Sequence, residues 1–161
     1  KGRGTTFTIT LPVADEGPLP QAPTAADTSP IKKLNILVVD DEPLVAQGLA
    51  ELLRLQGHQV DMYTSPLQAM AEFQRGKYNA VFSDLGMPEM NGWQLCAAIK
   101  KLSPQIHVVI LTGWGTEVGE EAQKQARQAD YLLGKPVVAE KLNQVIREIS
   151  SRPIGGGPHV P

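Results

Sequence analysis

Asn35-Ile-Leu-Val-Val39 is a short apolar run that delivers the chain straight into Asp40-Asp41. A run this short, rich in branched residues and without polar alternation, reads as a strand buried on both faces. The arrangement recurs three times. Ala80-Val-Phe82 leads through Ser83 into Asp84, His107-Val-Val-Ile-Leu111 leads into Thr112, and Tyr131-Leu-Leu-Gly134 leads into Lys135-Pro136. Carboxylates, a hydroxyl and an ammonium therefore all stand at the C-terminal ends of predicted strands. In an open parallel α/β sheet those ends form the crevice in which ligands bind.

The segments between these runs read mostly as helices. The first should begin after Asp41, with Pro43 in its first turn, Val45, Leu49, Leu52 and Leu53 on its buried stripe, and Gly57 as its stop. His58 to Tyr63 reads as a weak edge strand. Ser65-Pro66 supplies an N-cap and a first-turn proline for a second helix, which Gly76 should end. Asn79 to Asp84 is the third strand. A third helix follows Asn91-Gly92 and carries Trp93, Leu95, Cys96 and Ile99. After the fourth strand, His107 to Leu111, the polar stretch Glu117 to Gln128 reads as a solvated fourth helix. Tyr131 to Leu133 is the fifth strand, and a last helix from about Ala139 to Ser150 buries Leu142, Val145 and Ile149. Five βα units argue for an α/β fold, a parallel sheet with helices on both faces. Right-handed crossovers and one reversal of strand order give the order 2-1-3-4-5, the flavodoxin-like (βα)5 doubly wound architecture.

The flanks have a different character. Gly2-Arg-Gly-Thr-Thr-Phe-Thr-Ile-Thr-Leu-Pro12 sets Phe7, Ile9 and Leu11 against alternating threonines, a strand pattern with one apolar face. A lone strand cannot bury that face, so the chain reads as a fragment of something longer. Residues 13–33, with Pro18, Pro20, Pro23 and Pro30, read as an extended linker. The globular domain is expected over residues 34–152, and residues 153–161, with Gly155, Gly156 and Gly157, as a free tail. The 161 residues carry a formal net charge of -2 and are 42% hydrophobic, enough for one domain with a proper core. No basic face stands out, which argues against a nucleic-acid partner. No stretch approaches the roughly 20 apolar residues of a membrane helix, so no membrane contact is expected. The single cysteine, Cys96, suits a reducing compartment, and the expected location is cytoplasmic.

If the first and third strands are neighbours, Asp40, Asp41 and Asp84 converge. Three carboxylates in one crevice repel each other, and a hard divalent cation resolves that repulsion. Oxygen ligands with few protein contacts suit Mg²⁺, which keeps several waters and shares phosphate oxygens. Lys135 adds a positive charge from the other side, and Thr112 a hydroxyl. A carboxylate nucleophile, Mg²⁺, a lysine and a hydroxyl are the parts needed to accept a phosphoryl group.

These elements closely resemble the receiver domain of two-component response regulators. The matching segments are Val38-Val39-Asp40-Asp41-Glu42-Pro43, Asp84-Leu85-Gly86-Met87-Pro88-Glu89-Met90-Asn91-Gly92, Leu111-Thr112-Gly113 and Gly134-Lys135-Pro136, in that order over roughly residues 34 to 150. The resemblance implies that Asp84 is the phosphoacceptor, that Asp41 binds Mg²⁺ directly and Asp40 largely through water, and that the main-chain carbonyl of Gly86 completes the coordination. Thr112 and Lys135 would bind phosphoryl oxygens. Residues 1–12 resemble the last Gly-x-Gly-Thr-x-Phe strand of a histidine kinase ATP-binding domain. The two resemblances together imply the C-terminal end of a hybrid histidine kinase. The phosphodonor would be a kinase domain of the same chain or its dimer mate, and a histidine phosphotransfer protein a possible recipient. The fragment itself would be a phosphoacceptor rather than an enzyme. Receivers often carry an aromatic switch residue three positions before the lysine; here that position is Leu132, and Tyr131, one residue earlier, is expected to face a different side of the sheet. Gly113 leaves room beside the site, Trp114 stands at its gate, and Gly86 lacks a side chain there.

Taken singly, each motif has a plainer reading: Asp40-Asp41 as a helix cap, Asp84 as a turn residue before Gly86 and Pro88, Thr112-Gly113 as a strand end, Lys135-Pro136 as a turn before a helix. Four such coincidences at four strand ends are improbable together. A Mg²⁺-dependent phosphohydrolase with an aspartate nucleophile is the alternative, although such enzymes usually present Asp-x-Asp where this chain has adjacent carboxylates. A receiver serving only as a docking scaffold is a further alternative, against which the full set of acceptor residues argues. His107 and Cys96 read as structural.

Overall fold

The computed structural model describes Thr8, residues 32–113 and residues 129–151. Its elements run β1 (Asn35–Val39), α1 (Pro43–Leu55), β2 (Gln59–Tyr63), α2 (Pro66–Glu72), β3 (Ala80–Asp84), α3 (Gly92–Leu102), β4 (His107–Thr112), β5 (Tyr131–Gly134) and α4 (Ala139–Ser151). The expected strand at residues 6–11, the helix at 117–128, Trp114 and the tail at 153–161 lie outside the described residues, Thr8 excepted.

All neighbouring strands pair in parallel, in the order β2-β1-β3-β4-β5. The order reverses between β1 and β3, which places the ends of those two strands beside one another. Alternation along each strand divides the core. Ile36, Val38, Ala80, Phe82, Val109, Leu111 and Leu133 face α1 and α4, whose Ala46, Leu49, Leu53, Leu142, Ile146 and Ile149 meet them. Leu37, Val39, Val81, Val108 and Ile110 face the other way, toward α2 and α3. The central strands are thus buried on both sides, as their unbroken apolar runs require. Tyr131 packs on the α1/α4 side, while Leu132 is 39% exposed, so the tyrosine does occupy a different face from the expected switch position. Cys96 is buried in α3, and loss of solvent pushes its thiol up to about 12, so it acts as a small core residue.

Two expectations are corrected. Leu52 does not join the buried stripe of α1: it is 43% exposed, and Val45 is only half-buried. The helix rests instead on Ala46 and Ala50, both fully buried, because small residues let it sit close to the sheet and so rotate the large Leu52 outward. Gly76 does not end α2, which stops at Glu72. Phe73 turns to extended backbone and stacks its ring on Tyr78 at 5.7 Å, burying aromatic surface that a longer helix would expose. Gly76 serves the turn that follows, at φ +77°, where Lys77 N–H donates to the Gln74 carbonyl.

Candidate functional site

The site forms where β1, β3, β4 and β5 end. Asp40 follows β1, fully buried, and one of its oxygens, Oδ1, accepts the N–H of Glu42 at 3.0 Å. That bond ties Asp40 to the start of α1, where Glu42 caps the helix without a side-chain bond of its own. Asp41 is half-buried beside it. Asp84 is the last residue of β3 and is 7% exposed; its Oδ2 accepts the N–H of Gly86 at 2.7 Å. Carboxylate oxygens of Asp40, Asp41 and Asp84 all lie within 4.8 Å of one another, a grouping able to hold a metal ion.

Lys135 closes the cluster from β5. Its Nζ lies 2.7 Å from Asp40 Oδ2 and 2.6 Å from Asp84 Oδ1. Burial alone would lower the ammonium, but its bonds to the two carboxylates outweigh that loss and hold its pKa above the ordinary lysine value. The backbone fixes where it starts: Lys135 N–H donates to the Thr112 carbonyl at 2.7 Å, and Thr112 pairs with Gly134 across β4 and β5. Thr112 is buried at the end of β4, one residue beyond Leu111, the partner of Asp84. The side chains of Asp40, Asp41, Asp84 and Lys135 therefore meet in one crevice, and Thr112 ends the strand beside that of Asp84. Gly86 borders it, exposed, and a side chain there would meet Asp84 Oδ2 at 3.6 Å.

Sequence reasoning missed two participants. Glu42 contributes through its backbone, which no side-chain motif reveals. Gly92, the first residue of α3, lies against the backbone of Asp84: an added Cβ would stand 2.4 Å from the Asp84 carbonyl oxygen. Its place after Asn91 was legible as a helix start, but its contact with the backbone of Asp84 was not.

Residues 36–147 match the response regulator receiver domain. The chain belongs to that family. Transcriptional regulatory protein TcrA of Mycobacterium tuberculosis is similar to this receiver domain at 32% identity over 76% of the chain and 48% of TcrA. Sensor kinase CckA of Brucella abortus is 30% identical over 92% of the chain and 17% of CckA. The chain thus spans about half the length of the first relative and a far smaller part of the second. Among solved structures, the response regulator TrrA of Thermotoga maritima in complex with Mg²⁺ and BeF is 26% identical, with a TM-score of 0.65 over 73% of this chain and 99% of that one. The receiver domain is thereby one of two-component signalling, and its sheet order is that of the family's fold.

Proposed function

We propose that Asp84 accepts a phosphoryl group from a phosphohistidine, with Mg²⁺ held by Asp40, Asp41, Asp84 and the Gly86 carbonyl. The observation that carries this reading is the meeting of three carboxylates within 4.8 Å with a lysine amine bridging two of them. When bound, the cation neutralises the acids and the oxygens of the incoming group. Asp84 attacks phosphorus as the phosphorus–nitrogen bond breaks, and the imidazole leaves with a proton. Lys135 then exchanges a carboxylate oxygen for a phosphoryl oxygen, and Thr112 donates its hydroxyl to another. The binding of a Mg²⁺–BeF unit by TrrA supports this choice of ion and acceptor chemistry.

A hybrid histidine kinase is the proposed parent. The match to CckA reaches 92% of the chain, beyond the receiver itself, and supports that origin. The phosphodonor is then a histidine-bearing helix of the same chain or its dimer mate, acting in the cytoplasm, and a histidine phosphotransfer protein is a recipient. The outer face of α1 offers such a helix a resting place. Leu44, Leu52 and Leu55 are 84%, 43% and 86% exposed and line up with the exposed Gly48, starting four residues after Asp40. Four residues fall far short of the roughly 20–30 a side of a stable interface, which suits a brief docking.

The test is phosphorylation by acetyl phosphate with Mg²⁺, read by intact mass. The wild-type domain should gain one phosphoryl group and Asp84→Asn none. Undiminished labelling of that variant would sink the assignment.

A further inference from the structure

Among the glycines of the described residues, Gly92 alone has no room for a side chain. A Cβ placed there would lie 2.4 Å from the Asp84 carbonyl oxygen, 3.0 Å from Leu85 Cα and 3.2 Å from the Asp84 carbonyl carbon. All three neighbours are backbone, so none can rotate away. The connection from β3 to α3 folds back on itself to bring this about. Glu89 adopts φ +65°, Met90 N–H donates to the Pro88 carbonyl, and Gly92 N–H closes the loop onto the Leu85 carbonyl at 3.0 Å.

Both sides of the contact are braced. On the strand side, Leu85 N–H donates to the Leu111 carbonyl of β4 at 2.9 Å, and Ser83 Oγ donates to the Asp84 carbonyl at 2.9 Å. On the helix side, Trp93 is buried in the core, and Asn91 and Gln94 cap α3 reciprocally. The Asp84 peptide is therefore wedged between a fixed strand and a fixed helix end.

We infer that Gly92 is a positioning residue for phosphoryl acceptance: its bare Cα lets α3 rest on the Asp84 peptide and sets where the Asp84 carboxylate stands against Asp40, Asp41 and Lys135. The inference rests on Asp84 being the acceptor. A C–H carbon and a carbonyl oxygen ordinarily meet at about 3.3 Å. A Cβ at 2.4 Å must therefore push the Asp84 peptide or the end of α3 by about 0.9 Å. A displacement of about 1 Å in a reacting group costs on the order of a hundredfold in rate. Asp84 and Gly86 are themselves among the groups proposed to hold Mg²⁺, so the push also reaches the metal, while Asp40 and Asp41, which follow β1, lie outside the β3–α3 connection and keep their places. Metal affinity therefore falls less than the rate.

The experiment compares wild type, Gly92→Ala and Ile99→Val. Ile99 is a fully buried α3 residue whose trimming loosens the same helix away from the site. Phosphorylation by acetyl phosphate is measured at saturating Mg²⁺ and expressed per folded molecule by circular dichroism, and Mg²⁺ affinity is measured by calorimetry. Gly92→Ala should slow phosphorylation about a hundredfold while Mg²⁺ affinity changes by less than about tenfold. Ile99→Val should label at the wild-type rate. Should Gly92→Ala not fold, Asn91→Ala loosens the first turn of α3 without adding atoms, and its rate should fall severalfold at unchanged Mg²⁺ affinity. A wild-type rate in Gly92→Ala or in Asn91→Ala, or an equal loss in Ile99→Val, overturns the inference. A wild-type domain that takes no label overturns the acceptor reading beneath it instead.

Discussion

Replacing Lys135 by methionine keeps most of the side-chain volume and removes the only charge that joins Asp40 to Asp84 in the described site. Asp40 has a side chain 1% exposed, and its Oδ2 meets the Lys135 amine at 2.7 Å; Asp84 Oδ1 meets it at 2.6 Å. Without the amine each acid keeps a backbone donor, Glu42 N–H for Asp40 and Gly86 N–H for Asp84. Neither donor carries a charge. Breaking a buried ion pair by removing one partner costs about 3–5 kcal/mol. The side chains of Lys135 and Asp84 are 19% and 10% exposed, so water can relax around them, and the low end applies: about 3 kcal/mol in metal-free buffer. That is on the order of a hundredfold in the folding constant. Mg²⁺ brings two positive charges to the same oxygens and should restore most of the loss. It should also bind the variant at least about tenfold more tightly than wild type, because no ammonium competes, an extra stabilisation of about 1.4 kcal/mol by linkage. Phosphorylation should nevertheless slow by about 10²–10³, since a donor to the developing charge is gone. Urea unfolding with EDTA and with excess Mg²⁺, paired with acetyl phosphate labelling, reads all three effects. If the variant is as stable as wild type without metal, or if Mg²⁺ stabilises both equally, the bridging role assigned to Lys135 is wrong.

The same cluster predicts an opposite sign for Asp41. Three carboxylates against one ammonium leave excess negative charge, so Asp41→Asn should raise metal-free stability by about 1 kcal/mol, a value set by repulsion at up to 4.8 Å near water. It should also abolish stabilisation by Mg²⁺, and a variant that is less stable in EDTA would count against mutual repulsion. At the opposite end of the sheet, buried His58 accepts the Leu34 N–H at its Nδ1 at 3.2 Å, and burial holds its pKa below the usual 6.5. The folded domain then binds fewer protons than the unfolded chain between that lowered pKa and 6.5. Stability is therefore complete above pH 6.5 and falls as pH drops below it, by up to about 1.4 kcal/mol per unit, until the folded-state pKa is reached. Urea titrations at pH 7.5 and 5.5 should show this loss in wild type and a smaller one in His58→Gln; equal losses would exclude His58 as the source.

The residues proposed to accept, hold and sense a phosphoryl group were legible in the chain because each stands at the end of an apolar run. A strand's period and its terminating residue are local properties, written within five or six positions. Runs such as Leu37-Val-Val39 and Val108-Val-Ile-Leu111 also required a sheet covered on both faces, and the order 2-1-3-4-5 follows from crossover handedness. What the sequence could not specify were the contacts between residues far apart along it. The amine of Lys135 bridges acids 95 and 51 positions earlier, at Asp40 and Asp84, a geometry that exists only once β5 lies beside β4 and β1 beside β3. Leu52 turned outward because two alanines set how closely α1 approaches the sheet, and α2 ended early because Phe73 found Tyr78. Gly92 gave a local signal for a helix start and nothing more. Only the folded chain presses that helix start against the Asp84 peptide, because close packing forms between surfaces that the sequence does not place side by side.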